Sequence, residues 1–123
     1  MITALDHVQL AAPAGSEELL RGFYRDVLGM VELPKPPVLA ARGGVWFATG
    51  ADHAVQIHVG VEDPFVPARK AHPGLRVSGI RAFAERIAER GAEVVWDENL
   101  PGHLRFYSHD PVGNRLEFLE PVD

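Results

Sequence analysis

The sequence predicts an α+β fold made of two successive modules, each with the order strand, helix and three strands. Three observations carry this prediction. Some segments have an apolar residue at every second position, as in a strand, and others have apolar residues at helical spacing. Turn residues separate these segments. The order of the predicted elements repeats in the second half of the chain. A chain of 123 residues has room for one domain of ordinary size, which we expect to contain modules at about 2–61 and 71–121.

The first module is predicted to begin with a strand, Ile2–Ala11, whose residues alternate and which ends before Pro13. Ser16 is predicted to cap a helix, because its side chain can accept a backbone N–H and the acidic Glu17 follows it. Gly29 ends the apolar helical pattern. Three predicted strands complete the module: Met30–Leu33, Val45–Thr49 and Ala54–Gly60.

The second module is predicted to repeat this order after a linker rich in turn residues. Ala71–Val77 forms its first predicted strand, Ser78 is predicted to cap its helix, and Gly91 ends that helix. The closing strands are predicted at Ala92–Trp96, His103–Ser108 and Asn114–Glu120.

Composition excludes several classes of function. The chain has no cysteine, which excludes disulfides, thiolate metal sites and a cysteine nucleophile. Twelve basic and seventeen acidic residues give a net charge of −5 without a basic stripe, so we expect no nucleic-acid partner. No apolar run is long enough to span a membrane and the N-terminus does not resemble a signal peptide. We therefore expect a soluble, cytoplasmic protein.

Along each predicted strand the apolar side chains occupy every second position and the polar ones lie between them. Because successive side chains point to opposite faces, the polar ones are predicted to share one face of the sheet. This face would carry one imidazole or carboxylate on each of four strands: His7, His58, His72 and Glu117. Imidazole nitrogen and carboxylate oxygen suit a divalent first-row metal, so the pattern predicts a site for Zn, Ni, Fe, Mn or Co. Taken singly, a strand histidine is more often a surface residue, and Glu117 could instead pair with Arg105 or Arg115.

Other side chains of the same face are candidates for binding a substrate. Arg76 and Arg105 could hold an anionic group, while Trp46, Gln56 and Tyr107 could line a pocket wall. The alternative is that the arginines extend into solvent at strand ends and that Trp46 packs in the ordinary way.

At these residues the chain resembles the vicinal oxygen chelate superfamily, which includes glyoxalase I, bleomycin resistance proteins, fosfomycin-resistance enzymes and extradiol dioxygenases. The resemblance covers nearly the whole chain, and its most specific part is the DPxGNxxE pattern from Asp110 to Glu117. The other segments that carry it are LDHVQLAAP (Leu5–Pro13), FYRDVLGM (Phe23–Met30), QIHVG (Gln56–Gly60) and HPGLRV (His72–Val77).

The resemblance implies two βαβββ modules whose curled mixed sheets form a cup, with the helices on the outer face. It also implies a divalent metal in the cup, held at His7, His58, His72 and Glu117. In relatives that use two histidines and one glutamate, the ligands would be His7, His72 and Glu117, and His58 would stand beside the metal or the substrate. Many members form the cup between two chains, so a homodimer is implied as well.

Two classes of function remain open from the sequence. The favoured one is a metal-dependent enzyme, either a glyoxalase-like lyase or isomerase or an extradiol-type dioxygenase, that acts on a small molecule chelating the metal through vicinal oxygens. In glyoxalase-like chemistry Glu117 or His58 would act as the base. The alternative is a metal-free cup that binds and sequesters an antibiotic-like ligand. The fold alone does not decide between them.

Overall fold

The computed structural model describes the whole chain, Met1–Asp123. The chain forms two compact units, Met1–Pro67 and Ala68–Asp123. Each unit has a four-stranded sheet with both parallel and antiparallel pairs, and each follows the order strand, helix and three strands. The predicted α+β class and the repeated order of elements are therefore confirmed.

The first unit places its strands in the order β1-β4-β3-β2, with β1 parallel to β4 and the other neighbours antiparallel. Its strands are β1 (Val8–Ala12), β2 (Val31–Leu33), β3 (Val45–Thr49) and β4 (Val55–Val61). Its helical segments are α1 (Glu17–Leu20), which continues as a π-helix over Arg21–Val27, α2 (Pro37–Ala40) and a 3₁₀ turn (Ala51–His53).

The second unit has the matching order β5-β8-β7-β6, with β5 parallel to β8. Its elements are β5 (Gly74–Arg76), α3 (Ile80–Glu89), β6 (Val95–Asp97), β7 (His103–His109) and β8 (Arg115–Pro121). No helix in either unit combines the length and the apolar character needed to cross a bilayer.

In each unit the long helix covers one face of the sheet with aromatic contacts. In the first unit the buried ring of Tyr24 stacks on Phe47 of β3 at 5.1 Å between centroids. In the second, Phe83 of α3 lies 5.2 Å from Phe118, which stacks on Phe106 at 5.1 Å. Because side chains alternate along a strand, the neighbours of these buried residues project from the opposite face of each sheet.

The first strand is shorter than predicted. It begins at Val8, the first residue whose Cα pairs with β4, and residues 1–7 have no strand partner. Ile2 and Leu5 are 95% and 75% exposed. Alternation is a local pattern, whereas a strand needs a neighbouring ladder, so the predicted start at Ile2 is wrong. The strand predicted at Ala71–Val77 likewise contracts to Gly74–Arg76, which leaves His72 just before it.

Of the two predicted serine caps, Ser16 does occupy the N-cap position of α1 but makes no capping bond through its side chain, and the cap predicted at Ser78 is wrong. The Ser16 hydroxyl donates to the carbonyl of Pro13 and accepts no helix N–H. In the second unit the cap position is Gly79, at φ 68°, rather than Ser78. The Glu120 carboxylate accepts the N–H groups of Gly79 and Ile80 at 2.8 and 3.1 Å. A residue forty positions away therefore satisfies the start of α3, which local sequence rules do not anticipate.

Candidate functional site

The strand register gives the two units equivalent positions on the face opposite the helices. In the first unit His58 of β4 pairs with Trp46 of β3. In the second, Glu117 of β8 pairs with Tyr107 of β7. Each unit therefore sets one candidate ligand beside one aromatic residue.

In the first unit three rings form a continuous stack. The His7 and His58 rings lie 4.1 Å apart at an interplanar angle of 13°. On its other face His58 lies 4.2 Å from the Trp46 ring at 10°. His58 is therefore held between two nearly parallel rings, and Trp46 and His7 form the two ends of the stack.

The hydrogen bond of His58 fixes which ring nitrogen carries the proton. Its Nε2 lies 2.9 Å from Oε1 of Gln56, and because an amide oxygen only accepts, Nε2 carries the proton. His58 is 6% exposed. Burial lowers the pKa of His58 and the neighbouring His7 lowers it further, so the imidazole is uncharged at neutral pH.

His7 is hydrogen-bonded through Nδ1, whereas His58 is hydrogen-bonded through Nε2. The Nδ1 of His7 lies 2.8 Å from the Asp6 carboxylate and donates to it. This bond orients the ring and leaves Nε2 as the nitrogen with a lone pair. A carboxylate on Nδ1 is a common arrangement behind histidines that bind metals through Nε2.

An open cleft of about 610 Å³ lies beside the ring stack, entirely within the first unit. Its wall includes two cations, Lys35 and Arg42. The Lys35 ammonium lies 6.0 Å from the Trp46 ring centre and donates to the carbonyl of Gly43. The only carboxylate of the lining, Asp6, is already bonded to His7.

The loop that carries these cations depends on glycine where it joins β3. Gly44 has φ +87°, and a Cβ there would lie 2.3 Å from the carbonyl oxygen of Val59. The Gly44 N–H donates to the Glu17 carboxylate at 2.9 Å, which lowers the pKa of Glu17. The wall of the cleft is thus tied to both β4 and the first helix.

In the second unit His72 and Glu117 meet directly. Nε2 of His72 lies 2.8 Å from Oε1 of Glu117. Nδ1 of His72 donates to the carbonyl of Lys70 at 2.7 Å, so the ring is oriented from behind, as the His7 ring is. Both side chains of the pair are largely buried.

The remaining groups around Glu117 are cationic and aromatic. Arg105 donates to Asp97 at 3.0 Å and to the second oxygen of Glu117 at 3.4 Å. The Asn99 N–H and then the Arg105 guanidinium lower the pKa of Asp97. The guanidinium groups of Arg105 and Arg115 lie 5.3 and 4.2 Å from the Tyr107 ring centre. Glu117 is thus held between an imidazole and a guanidinium.

The donors fit a metal unequally in the two units. Nε2 of His72 and Oε1 of Glu117 lie at hydrogen-bond distance, 2.8 Å, so two donors of the kind that bind divalent metals converge on one point. The stacked rings of His7 and His58 do not converge in this way, because a ring lone pair lies in the ring plane and these planes are nearly parallel. Within neither unit do three or more His, Asp or Glu side chains gather into a group that could hold a metal.

The other predicted substrate-binding residues separate into two groups. Trp46 and Gln56 line the cleft of the first unit, while Arg105 and Tyr107 surround Glu117 in the second. Arg76 is exposed on β5.

Sequence reasoning did not select Lys35, Arg42 and Asp97, all of which lie near these groups. Lys35 and Arg42 could have been selected from the sequence, because the loop between Leu33 and Gly44 carries these two cations. Nothing in the local sequence indicated a role for Asp97, because its partner Arg105 lies on the next strand.

Comparison with known proteins gives a consistent family. The family profile described as a glyoxalase-like domain matches residues 9–119. The chain is 47% identical to a protein from Bacillus anthracis, named for the glyoxalase family, whose crystal structure matches with a TM-score of 0.93 over 98% of this chain and 97% of that one. No curated protein matches the chain.

Two further solved structures differ in the function that their names state. One is TnmS3, an antibiotic-binding protein from Streptomyces sp. CB03234, at 26% identity and a TM-score of 0.73 over 98% of this chain and 99% of that one. The other is a glyoxalase/dioxygenase from Nostoc punctiforme, at 18% identity and a TM-score of 0.73 over 96% and 90%. The second likeness concerns the fold alone.

Proposed function

This chain belongs to the glyoxalase-like domain family, and from that premise we propose that it is a divalent-metal-dependent enzyme. Its substrate would be a small oxygenated molecule that chelates the metal through two adjacent oxygens. The reaction would be of the glyoxalase or the dioxygenase type.

The observation that carries this proposal is the largely buried pair of His72 and Glu117, whose Nε2 and Oε1 lie 2.8 Å apart. His7 and His72 are also oriented in the same way. Each holds Nδ1 on an oxygen acceptor, the Asp6 carboxylate or the Lys70 carbonyl, and leaves Nε2 for another partner. In the case of His72 that nitrogen already lies beside Glu117. His103 and His109 also hold Nδ1 on an oxygen acceptor, the Pro101 carbonyl and the Glu93 carboxylate, so it is the contact between Nε2 and a carboxylate that sets His72 apart.

We propose His7, His72 and Glu117 as the ligands, with Zn, Ni, Co, Fe or Mn as the candidate ions. A bound ion would act as a Lewis acid that stabilises an enolate, enediolate or other oxyanion. Arg105 would hold the second oxygen of Glu117 and so favour binding through one oxygen. Tyr107 and Arg76 would contact the substrate from the second unit.

We propose that His58 stands beside this group and is not a ligand. Its Nε2 is engaged by Gln56 and its ring is confined between His7 and Trp46. Because burial keeps the ring neutral, His58 is suited to accept a proton from a bound substrate. Glu117 is the other candidate base if it leaves the metal during the reaction.

We propose further that the working form is a homodimer. Ile2 and Leu5 are highly exposed in the isolated chain, and Trp96 on the outer strand β6 is 43% exposed. Large apolar side chains of this kind are commonly covered in an assembly. Size-exclusion chromatography with light scattering should give twice the mass of the chain, and a monomer at micromolar concentration would contradict this part of the proposal.

The main test is the metal content of untagged protein. Elemental analysis should find about one ion per chain, as expected for a single site. A His72→Ala/Glu117→Ala variant should lose it. The matched control is His109→Ala/Glu93→Ala, because these residues form another histidine–carboxylate pair, at 3.2 Å, that is more exposed.

Retention of metal by the control and loss by the site variant would support the proposal, and the ion found would direct the choice of isomerase or oxygenase assays. If wild-type protein takes up none of the five ions after incubation with each, the enzyme proposal fails. It also fails if both variants keep the same metal content.

The second candidate function is metal-free binding of an antibiotic-like molecule. The cleft of the first unit favours it, since this cleft has aromatic and cationic walls that need no metal. The likeness to the antibiotic-binding protein TnmS3 gives independent support. In this case ligand affinity should be the same in wild-type protein and in His72→Ala, whereas a metal-dependent enzyme should lose affinity for a chelating substrate.

A further inference from the structure

We propose that the cleft of the first unit recognises a planar aromatic carboxylate, which stacks on the Trp46 end of the ring stack and places its charge at Lys35 and Arg42. The inference deepens the second candidate function, metal-free binding of a small molecule, on which it rests for the assumption that this cleft takes the ligand. It names the chemical class of that ligand.

The wall of the cleft offers a flat aromatic surface. Trp46, His58 and His7 present a stack of three rings with interplanar angles of 10° and 13°. Such a stack ends in a flat π surface, and a further planar ring adds to it at the same spacing with little loss of conformational freedom. A saturated ring of the same size lacks the flat face and would gain less.

The charge of the cleft differs in sign from that of the whole chain. The chain carries −5 overall, yet the cleft contains two cations and one carboxylate, and that carboxylate is bonded to His7. Neither Lys35 nor Arg42 forms an ion pair with a carboxylate. Two unpaired cations at one wall of an acidic protein favour an anion.

The aromatic surface and the cations lie at the same place in the cleft. The Lys35 ammonium is 6.0 Å from the centre of the Trp46 ring, on a loop that Gly44 and Glu17 tie to the sheet. An aromatic ring lying on Trp46 would therefore bring its carboxylate within reach of Lys35.

The experiment uses 2-naphthoate as the probe, with metal-free full-length protein in EDTA, and measures binding by isothermal titration calorimetry. Two probes act as controls. The neutral 2-naphthamide keeps the aromatic surface and removes the charge, and decahydro-2-naphthoate keeps the charge and removes the planarity. We expect each to bind at least about tenfold more weakly than 2-naphthoate.

Variants assign the effect to the cleft. Trp46→Leu should weaken 2-naphthoate binding about tenfold, while Trp46→Phe should retain most of the affinity because it keeps a ring. Trp96→Leu is the matched control, since Trp96 lies in the second unit. Lys35→Met/Arg42→Met should also weaken binding about tenfold, whereas Lys70→Met/Arg81→Met changes the net charge equally outside the cleft and should not.

The inference is overturned if 2-naphthoate does not bind at millimolar concentration, or if Trp46→Leu or Lys35→Met/Arg42→Met binds as tightly as wild type while circular dichroism shows both folded. Binding that appears only after metal loading also overturns it and leaves the proposed enzyme intact. Binding in EDTA by a protein that never takes up metal would support the inference and remove the enzyme proposal.

Discussion

The two units place different chemistry on the same backbone register. In the first, the position beside the aromatic residue of the third strand is His58, held in a stack of rings. In the second it is Glu117, held between His72 and Arg105. A repeated fold thus provides equivalent positions, and the side chain at each position determines whether the strands offer a ring stack or an imidazole–carboxylate pair.

The two units also differ in the charged residue at or near the end of the second strand of each unit. Lys35 follows Leu33 of β2 by two residues, just as Asp97 follows Val95 of β6, and these two strand residues pair with Trp46 and Tyr107. The first unit therefore has a cation where the second has a carboxylate. In the second unit that carboxylate is used internally, by Arg105, whereas in the first the cation faces a cleft.

The largest expected effect is on stability, at the core position next to Trp46. Phe47→Ala removes a fully buried ring that stacks on Tyr24. We expect a loss of about 3–5 kcal/mol in the free energy of unfolding, measured by urea denaturation. The control Val38→Ala, at an exposed position, should change it by less than about 0.5 kcal/mol. A loss below about 1 kcal/mol at Phe47 would show that the ring is not part of the core.

The next prediction tests the proposed difference between His58 and Glu117 as ligands. Glu117→Gln should lower metal affinity by more than about 100-fold, because it removes a charged ligand, while His58→Gln should lower it by less than about tenfold. Competition against a chelator of known affinity measures both. Equal losses in the two variants would mean that His58 binds the metal and that the stack opens when it does.

A smaller effect is expected at Ser108, the second unit's equivalent of Phe47. Its buried hydroxyl has no hydrogen-bond partner. Ser108→Ala removes this unsatisfied group and should raise the free energy of unfolding by about 1 kcal/mol. Ser78→Ala, at an exposed serine, serves as the control. Destabilisation by Ser108→Ala would indicate that the hydroxyl has a partner in solution, such as water.

The smallest expected effect is a pH dependence carried by His58. Burial, and then His7, lower the pKa of His58 in the folded protein below its ordinary value of 6.5. The unfolded chain therefore takes up this proton first as the pH falls, so stability declines below about pH 6.5 until the folded protein also binds the proton. His58→Gln should flatten this decline in urea titrations between pH 7.5 and 5. An unchanged slope would show that His58 does not contribute to it.

Several features followed from the sequence because they depend on local patterns. Alternation and helical spacing predicted the two-unit α+β order, and the shared parity of strand residues predicted which face carries His58 and Glu117. The end points of elements were less predictable, since they depend on partners elsewhere in the chain. Ile2 has no neighbouring strand, and Glu120, distant in sequence, takes the position expected of Ser78 at the start of α3.

By itself the sequence determined the repeated modules, the face of each sheet on which the polar residues lie and the family. Only the tertiary structure decided what those residues do on that face. Parity places His7 and His58 together, but it does not specify that their rings stack or that Gln56 engages Nε2 of His58. It also does not specify that Lys70 orients His72 towards Glu117. The physical reason is that strand spacing selects a face, whereas ring orientation depends on hydrogen bonds and packing with residues from other elements.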